Sequence, residues 1–430
     1  MRSNAPILAL DIVFFANGMP AAQIGWAEVD FDEKQGGISV KSLKKIGMVL
    51  GLSMSLMGLA ACNSSGASGG GDAGGEGTVN IGYSGPLSGP AAFYGENTLR
   101  GLTMAADEIN KEGFEVDGKT YKVKIVSLDD KYLPNETGTN ARRLVQENKA
   151  PIVFVPHSGG VFATQVFNQQ ENFIIGAYTS EPKIQEQGNK LTLSIPPAYD
   201  AYPEPYADYQ MERFGKKLAL IPTATQYGKD WTATIKPVWE EKGGEIVFDG
   251  SVDFSKETDF FTIMTNALKE KPDVLFVGGP SQPTALLIKQ ARELGFKGGI
   301  MIMDQAKFEE MEPVLGGYEM LEGAIGTLPI SESDAPGGKA FVDKYAELTD
   351  GIPTAESAFN YQALHVAVKA MQAAGTVSDP AKIMENMDKG IKELEDEQMV
   401  WHLTGVENNG FNWKTSIHVV EDGKLVKLDK

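Results

Sequence analysis

Leu218-Ala-Leu-Ile221, Ile246-Val-Phe248, Val274-Leu-Phe-Val277 and Ile300-Met-Ile-Met303 are four short apolar runs. Between them lie segments with helical patterning, near Trp231 to Lys242, Phe260 to Glu270 and Thr284 to Leu294. Unbroken apolar runs alternating with helices of roughly 10–15 residues predict parallel strands covered on both faces. The same rhythm runs through the preceding stretch. Val79-Asn-Ile-Gly-Tyr83 and Tyr121-Lys-Val-Lys-Ile-Val-Ser-Leu128 read as strands, as do Ile152-Val-Phe-Val155 and Phe173-Ile-Ile-Gly-Ala177. Glu96 to Glu112 places Leu99, Leu102, Ala106 and Ile109 on one helical face and stops at Gly113, and Arg142 to Asn148 reads as a further helix. A last, long helix is expected from Ala355 to Ala374. The two series are divided by Ile195-Pro-Pro197, which predicts an α/β chain of two doubly wound, Rossmann-like lobes. A ligand is then expected in the crevice at the carboxyl ends of the strands.

Composition bounds the function. The chain has 430 residues, 42% hydrophobic, with a net charge of −19. That charge opposes binding to nucleic acid or to an anionic membrane surface, both of which call for basic patches. Ser84-Gly-Pro-Leu-Ser-Gly89 is glycine-rich ahead of a helix but fits neither a Walker loop nor GxGxxG. Ser158 lacks a GxSxG elbow, and His157 beside it reads as a strand-end packing or loop residue. Four histidines and a single cysteine give no metal cluster. His365 and Tyr361, on the apolar helix, read as core. No cofactor, metal or catalytic residue is expected, and no enzyme.

The N-terminal segment carries a targeting pattern. Lys41-Ser-Leu-Lys-Lys45, an apolar run from Ile46 to Leu59, and Leu59-Ala-Ala-Cys62 have the layout of a secretory signal. The apolar run is too short for a transmembrane helix, which takes about 20 residues. The reading is a signal over residues 40–61 and a Gly/Ser-rich tether over 62–77. Residues 1–39 read as an extension that is not part of the translated protein, because a GTG start at Val40 would put the signal first.

At this point the residues resemble a known family. Asn80-Ile-Gly-Tyr-Ser-Gly-Pro-Leu-Ser-Gly-Pro-Ala-Ala-Phe-Tyr-Gly95 and Ala105-Ala-Asp-Glu-Ile-Asn110 resemble the opening of the periplasmic leucine/isoleucine/valine-binding proteins. These are type I solute-binding components of ABC importers. Leu128-Asp-Asp130, Gln226-Tyr-Gly228, Phe248-Asp-Gly250, Thr258-Asp-Phe260 and Leu287-Ile-Lys-Gln-Ala-Arg292 follow in family order. Cys62 resembles the lipobox cysteine, which takes a lipid anchor.

The resemblance implies a Venus flytrap with three crossovers. The first lobe takes residues 78–197 plus about 326–415, and the second takes 198–325 plus about 416–430. It implies a monomeric, extracytoplasmic, lipid-anchored receptor that delivers a small amino acid, branched-chain or otherwise apolar, to an ABC permease. Amides, urea or aromatic carboxylates are alternative ligands within the family, and ligand sensing is an alternative role for the fold. For the ligand carboxylate it implies Ser158, Gly159 and Gly160 from one strand-end loop and Ala177, Tyr178 and Thr179 from another. For the ammonium it implies Tyr227 and Glu257, with Asp304 a second acid near the same crevice. Tyr94 is expected to cover the ligand side chain.

Overall fold

Val79, Ile81 and Tyr83 are buried along Gly77–Gly85, the first strand (β1) of a large mixed sheet. The computed structural model describes residues 76–430 apart from 350, 415, 429 and 430, and the backbone of four strands between residues 8 and 40. The chain divides into two compact units, Met1–Gly70 and Gly71–Lys430. In the first, Leu8–Val13 pairs antiparallel with Ala21–Trp26, and Val29–Asp32 with Gly37–Val40. Cys62, the signal and the tether up to residue 75 lie outside the described residues, as does most of the segment read as an extension.

In the second unit, β1 leads into helix α1 (Ala92–Glu112), the short strand β2 (Phe114–Val116) and strand β3 (Lys119–Asp129). Helix α2 (Pro134–Asn148), β4 (Ile152–Val155), α3 (Ser158–Gln165), β5 (Ile174–Ala177) and β6 (Thr192–Ser194) follow. β1 lies between β3 and β4, parallel to both, and β5 and β6 extend the parallel set. Every residue of β4 and β5 is buried, the pattern of strands covered by helices on both faces.

The chain then crosses into a second sheet. Helix α4 (Pro203–Arg213) precedes β7 (Lys217–Pro222), α5 (Gln226–Glu241), β8 (Glu245–Asp249) and α6 (Phe261–Lys269). β9 (Val274–Gly278), α7 (Ser281–Glu293), β10 (Gly299–Ile302), α8 (Phe308–Leu315) and β11 (Ala324–Thr327) complete the parallel part. Its strand order begins β8-β7-β9-β10-β11, so β8 is an edge and β10 lies inside the sheet.

After Thr327 the chain returns to the first sheet through α9 (Gly338–Leu348), α10 (Ala355–Ala374), α11 (Pro380–Glu385) and α12 (Met387–Lys392). Strands β12 (Leu403–Glu407) and β13 (Gly410–Trp413) close the first sheet beside β6. A third crossing brings β14 (Ile417–Glu421) and β15 (Lys424–Lys427) onto the far edge of the second sheet. The two sheets carry eight and seven strands. Each belongs to one lobe of an α/β, doubly wound fold. Because β11 stays with the second sheet to Thr327, the return crossing falls there and not at residue 325.

α10 decides how the first lobe meets the second. Thr354 and Ser357 form a capping box at its start, and Gly375 closes it in a left-handed conformation. α1 packs along it so closely that any side chain at Gly101 would overlap the Ser357 carbonyl oxygen. This fixes the first turn of α10, and Glu356 with it, at the face turned to the second lobe.

Candidate functional site

The carboxyl ends of β4, β5 and β10, together with the first turns of α3, α5 and α10, converge on one cavity between the lobes. Its walls include Tyr94, Tyr132, Ser158, Tyr178, Thr179 and Ser180 from the first lobe. Tyr227, Asp304, Gln305 and Lys307 face them from the second, and Glu356 closes one end. The space between these walls, open solvent included, is about 360 Å3.

On the first-lobe side, the Ser158 and Thr179 hydroxyls lie 2.7 Å apart. The loop that presents Ser158 is held by His157. The Gly160 N–H donates to His157 Nδ1 at 3.0 Å, capping α3. The ring proton therefore sits on Nε2, which donates to Asp130 Oδ2 at 3.0 Å. The Thr137 hydroxyl and the Tyr132 N–H also donate to Asp130, at 2.8 and 2.9 Å. Burial pushes the Asp130 carboxyl up, but facing His157 and these donors hold it below the usual carboxylate range. A buried carboxylate supplied with this many donors fixes the loop and leaves the Ser158 hydroxyl facing the cavity.

On the second-lobe side, Asp304 follows β10. Its Oδ1 accepts from the Tyr227 hydroxyl and, at 2.9 Å, from Trp231 Nε1. Burial and the facing Asp304 push the Tyr227 phenol far up, so it stays a donor near neutral pH. The Ser180 hydroxyl donates to the Tyr227 oxygen at 3.0 Å across the lobes. Lys307 turns its ammonium to the Asp304 main-chain carbonyl and makes no ion pair among the described residues. Asp304 is thus a buried acid served by neutral donors only.

Six expected site residues line this cavity: Tyr94, Ser158, Tyr178, Thr179, Tyr227 and Asp304. Four are corrected. Glu257 is exposed, and its carboxylate accepts from the Asp253 N–H at 2.9 Å in a turn beyond the edge strand β8. It faces solvent and not the crevice. The Gly160 N–H is spent on His157, and Gly159, Gly160 and Ala177 stand behind the wall. Ser180 ends the strand-end loop Ala177-Tyr178-Thr179-Ser180 read from the sequence, whereas Tyr132, Gln305, Lys307 and Glu356 were not expected in the site. Gln305 directly follows the expected Asp304. Glu356 carried only the signal of an acid at a helix start, which every stable helix favours.

The fold and this interlobe cavity define a two-lobed solute receptor. A family model described as periplasmic binding protein matches residues 78–402, and the chain belongs to that family. Proteins of this family work outside the cytoplasm, binding solutes without transforming them. The chain is 28% identical over 313 residues to the amino acid binding protein of Pseudomonas aeruginosa, covering 71% of this chain and 81% of that protein. A branched-chain amino acid transporter binding protein from Streptococcus pneumoniae, solved with isoleucine, has a TM-score of 0.67 at 23% identity. The alignment covers 82% of this chain and 100% of that one. A Rhodopseudomonas palustris solute-binding protein solved with 4-hydroxybenzoate has the same TM-score of 0.67 at 20% identity, covering 82% and 96%. The two solved structures share the fold and differ in ligand.

Proposed function

We propose that this chain is a lipid-anchored receptor that captures an α-amino acid and delivers it to an ABC permease. The observation carrying the reading is the opposition of Asp304 to the Ser158–Thr179 hydroxyl pair across one cavity. A carboxylate needs hydroxyl and first-turn amide donors, with no buried countercharge. An ammonium buried opposite needs an acid, and Asp304 has no cation of its own. Each charge-assisted hydrogen bond contributes roughly 1.5–3 kcal/mol. The printed names of relatives that bind amino acids support the reading.

The four tyrosines on the walls favour a second reading, an aromatic carboxylate, which would leave Asp304 without a partner. A thermal-shift panel of the purified protein separates the two. An α-amino acid at saturating concentration is expected to raise Tm by several degrees, and 4-hydroxybenzoate to leave it unchanged. The reverse pattern replaces the first reading with the second. Leu59-Ala-Ala-Cys62 supports the anchor, and tethering would raise the receptor's effective concentration at its permease. Intact-mass analysis is expected to find a diacylglyceryl group on Cys62; an unmodified thiol there defeats the anchor.

A further inference from the structure

We infer that the side chain of the bound amino acid carries a cationic group, held by Glu356 at the closed end of the cavity. The inference rests on the amino-acid reading above and sharpens it, in place of the apolar side chain that the family resemblance implies.

Glu356 is fully buried and lines the cavity, and its carboxylate takes no N–H or alcohol donor among the described residues, facing instead the carboxyl of Glu310. It stands in the first turn of α10. Behind it, from the other lobe, come Glu309 and Glu310 at the start of α8, both buried. Glu309 Oε1 accepts from the Ala355 N–H at 3.2 Å, and Glu310 Oε1 from Asn97 Nδ2 at 3.1 Å. Their Oε2 atoms have no partner. Where the lobes meet, Glu356 and Glu310 therefore face each other as acids, and no cationic side chain among the described residues is bonded to either.

The charges facing this cluster do not balance it. Tyr94, Tyr178 and Tyr345 are neutral phenols held far up by burial or, for Tyr345, pushed to about 12. Lys307, whose ammonium donates to the Asp304 main-chain carbonyl, is a buried cation on the same cavity and lowers Glu309. It sets a single positive charge against Glu309, Glu310, Glu356 and Asp304. Asp304 adds a further acid, which the ligand's own ammonium would satisfy. No group of three described side chains is placed to hold a metal ion, so an organic cation fits better than an inorganic one. An isoleucine or leucine side chain would set methyl groups against the Glu356 carboxylate, a costly arrangement in a buried site. A lysine, ornithine or arginine side chain instead brings its charge to Glu356 past the packed pair Tyr94 and Tyr178, whose ring centroids are 6.2 Å apart. Aromatic faces accept such a cation.

Without ligand, protons take the cation's place. Burial and the charge of Glu356 push Glu309 up to about 7 and Glu310 well above the usual carboxylate range. A cationic side chain displaces these protons. Its affinity is then expected to rise as pH climbs through about 7, with protons released on binding, whereas leucine should show neither effect.

Titration calorimetry of the full-length protein with lysine, arginine, glutamine and leucine tests the inference. A basic amino acid is expected to bind at least about tenfold more tightly than leucine, a preference that one buried charge pair supplies. Glu356→Gln should remove that preference, and Glu356→Leu should reverse it, with each variant's unliganded Tm confirming that it folds. Repeating the titration in two buffers of different ionisation heat reads the proton release. Tight leucine binding by the wild type, or an unchanged affinity for basic amino acids in Glu356→Gln, overturns the inference and leaves the amino-acid reading standing. Failure of every amino acid while an aromatic carboxylate binds overturns both.

Discussion

Asp304→Asn is expected to abolish amino-acid binding while leaving the unliganded protein at least as stable as before. Asparagine has nearly the same shape and still offers an oxygen to the Tyr227 hydroxyl and the Trp231 indole N–H. What it lacks is charge. The ligand's ammonium would then enter a dry cavity with no acid on that wall. Truncating one partner of a buried charge pair costs about 2–5 kcal/mol or more, much of it from the stranded partner. That range corresponds to roughly 30-fold to several-thousand-fold weaker binding. The unliganded protein responds in the other direction, because a buried carboxylate served only by neutral donors is costly to keep ionised. Calorimetry gives the affinity and urea denaturation the stability. Binding within threefold of wild type would show that the ammonium is held elsewhere, and Glu356 would then be the candidate.

Much of the fold was legible because parallel sheets write themselves plainly into a sequence. Ile152–Val155 and Val274–Gly278 are buried on both faces, and nothing but apolar residues survives there. The long helix Ala355–Ala374 was legible to the residue, with Thr354 and Gly375 marking its ends. Choosing between the two acids was harder. Glu257 and Asp304 both follow strands of the second lobe, and the family spacing favours Glu257. Sheet order separates them. β8 is an edge strand, so the turn carrying Glu257 opens to solvent. β10 lies inside the sheet, so the residue after it faces the crevice. That order depends on which strands cross over which, information that no local window contains. Glu356 was illegible for a related reason. Within its own helix it is an ordinary first-turn acid, and only the approach of α8 from the other lobe makes it a buried charge.

Trp231 joins the core to the site, and two substitutions at it are expected to have distinct effects. The indole is fully buried, stacked on Tyr199 at 4.9 Å between centroids and set against Phe276 at 5.3 Å. Trp231→Ala removes that packing and leaves a cavity, so a loss of about 3–5 kcal/mol is expected in urea denaturation. This is a large share of the 5–15 kcal/mol typical of a folded domain. Trp231→Phe keeps most of the ring contact and deletes the N–H donor to Asp304, which retains the Tyr227 hydroxyl. Its stability loss should be smaller, about 1–2 kcal/mol, whereas ligand affinity should fall because one of two donors orienting the carboxylate is gone. A stability effect without any change in affinity would make Trp231 a packing residue alone. An affinity loss in Trp231→Phe at near-native stability would instead show that the second lobe's aromatic core, through one indole N–H, sets the direction in which Asp304 points.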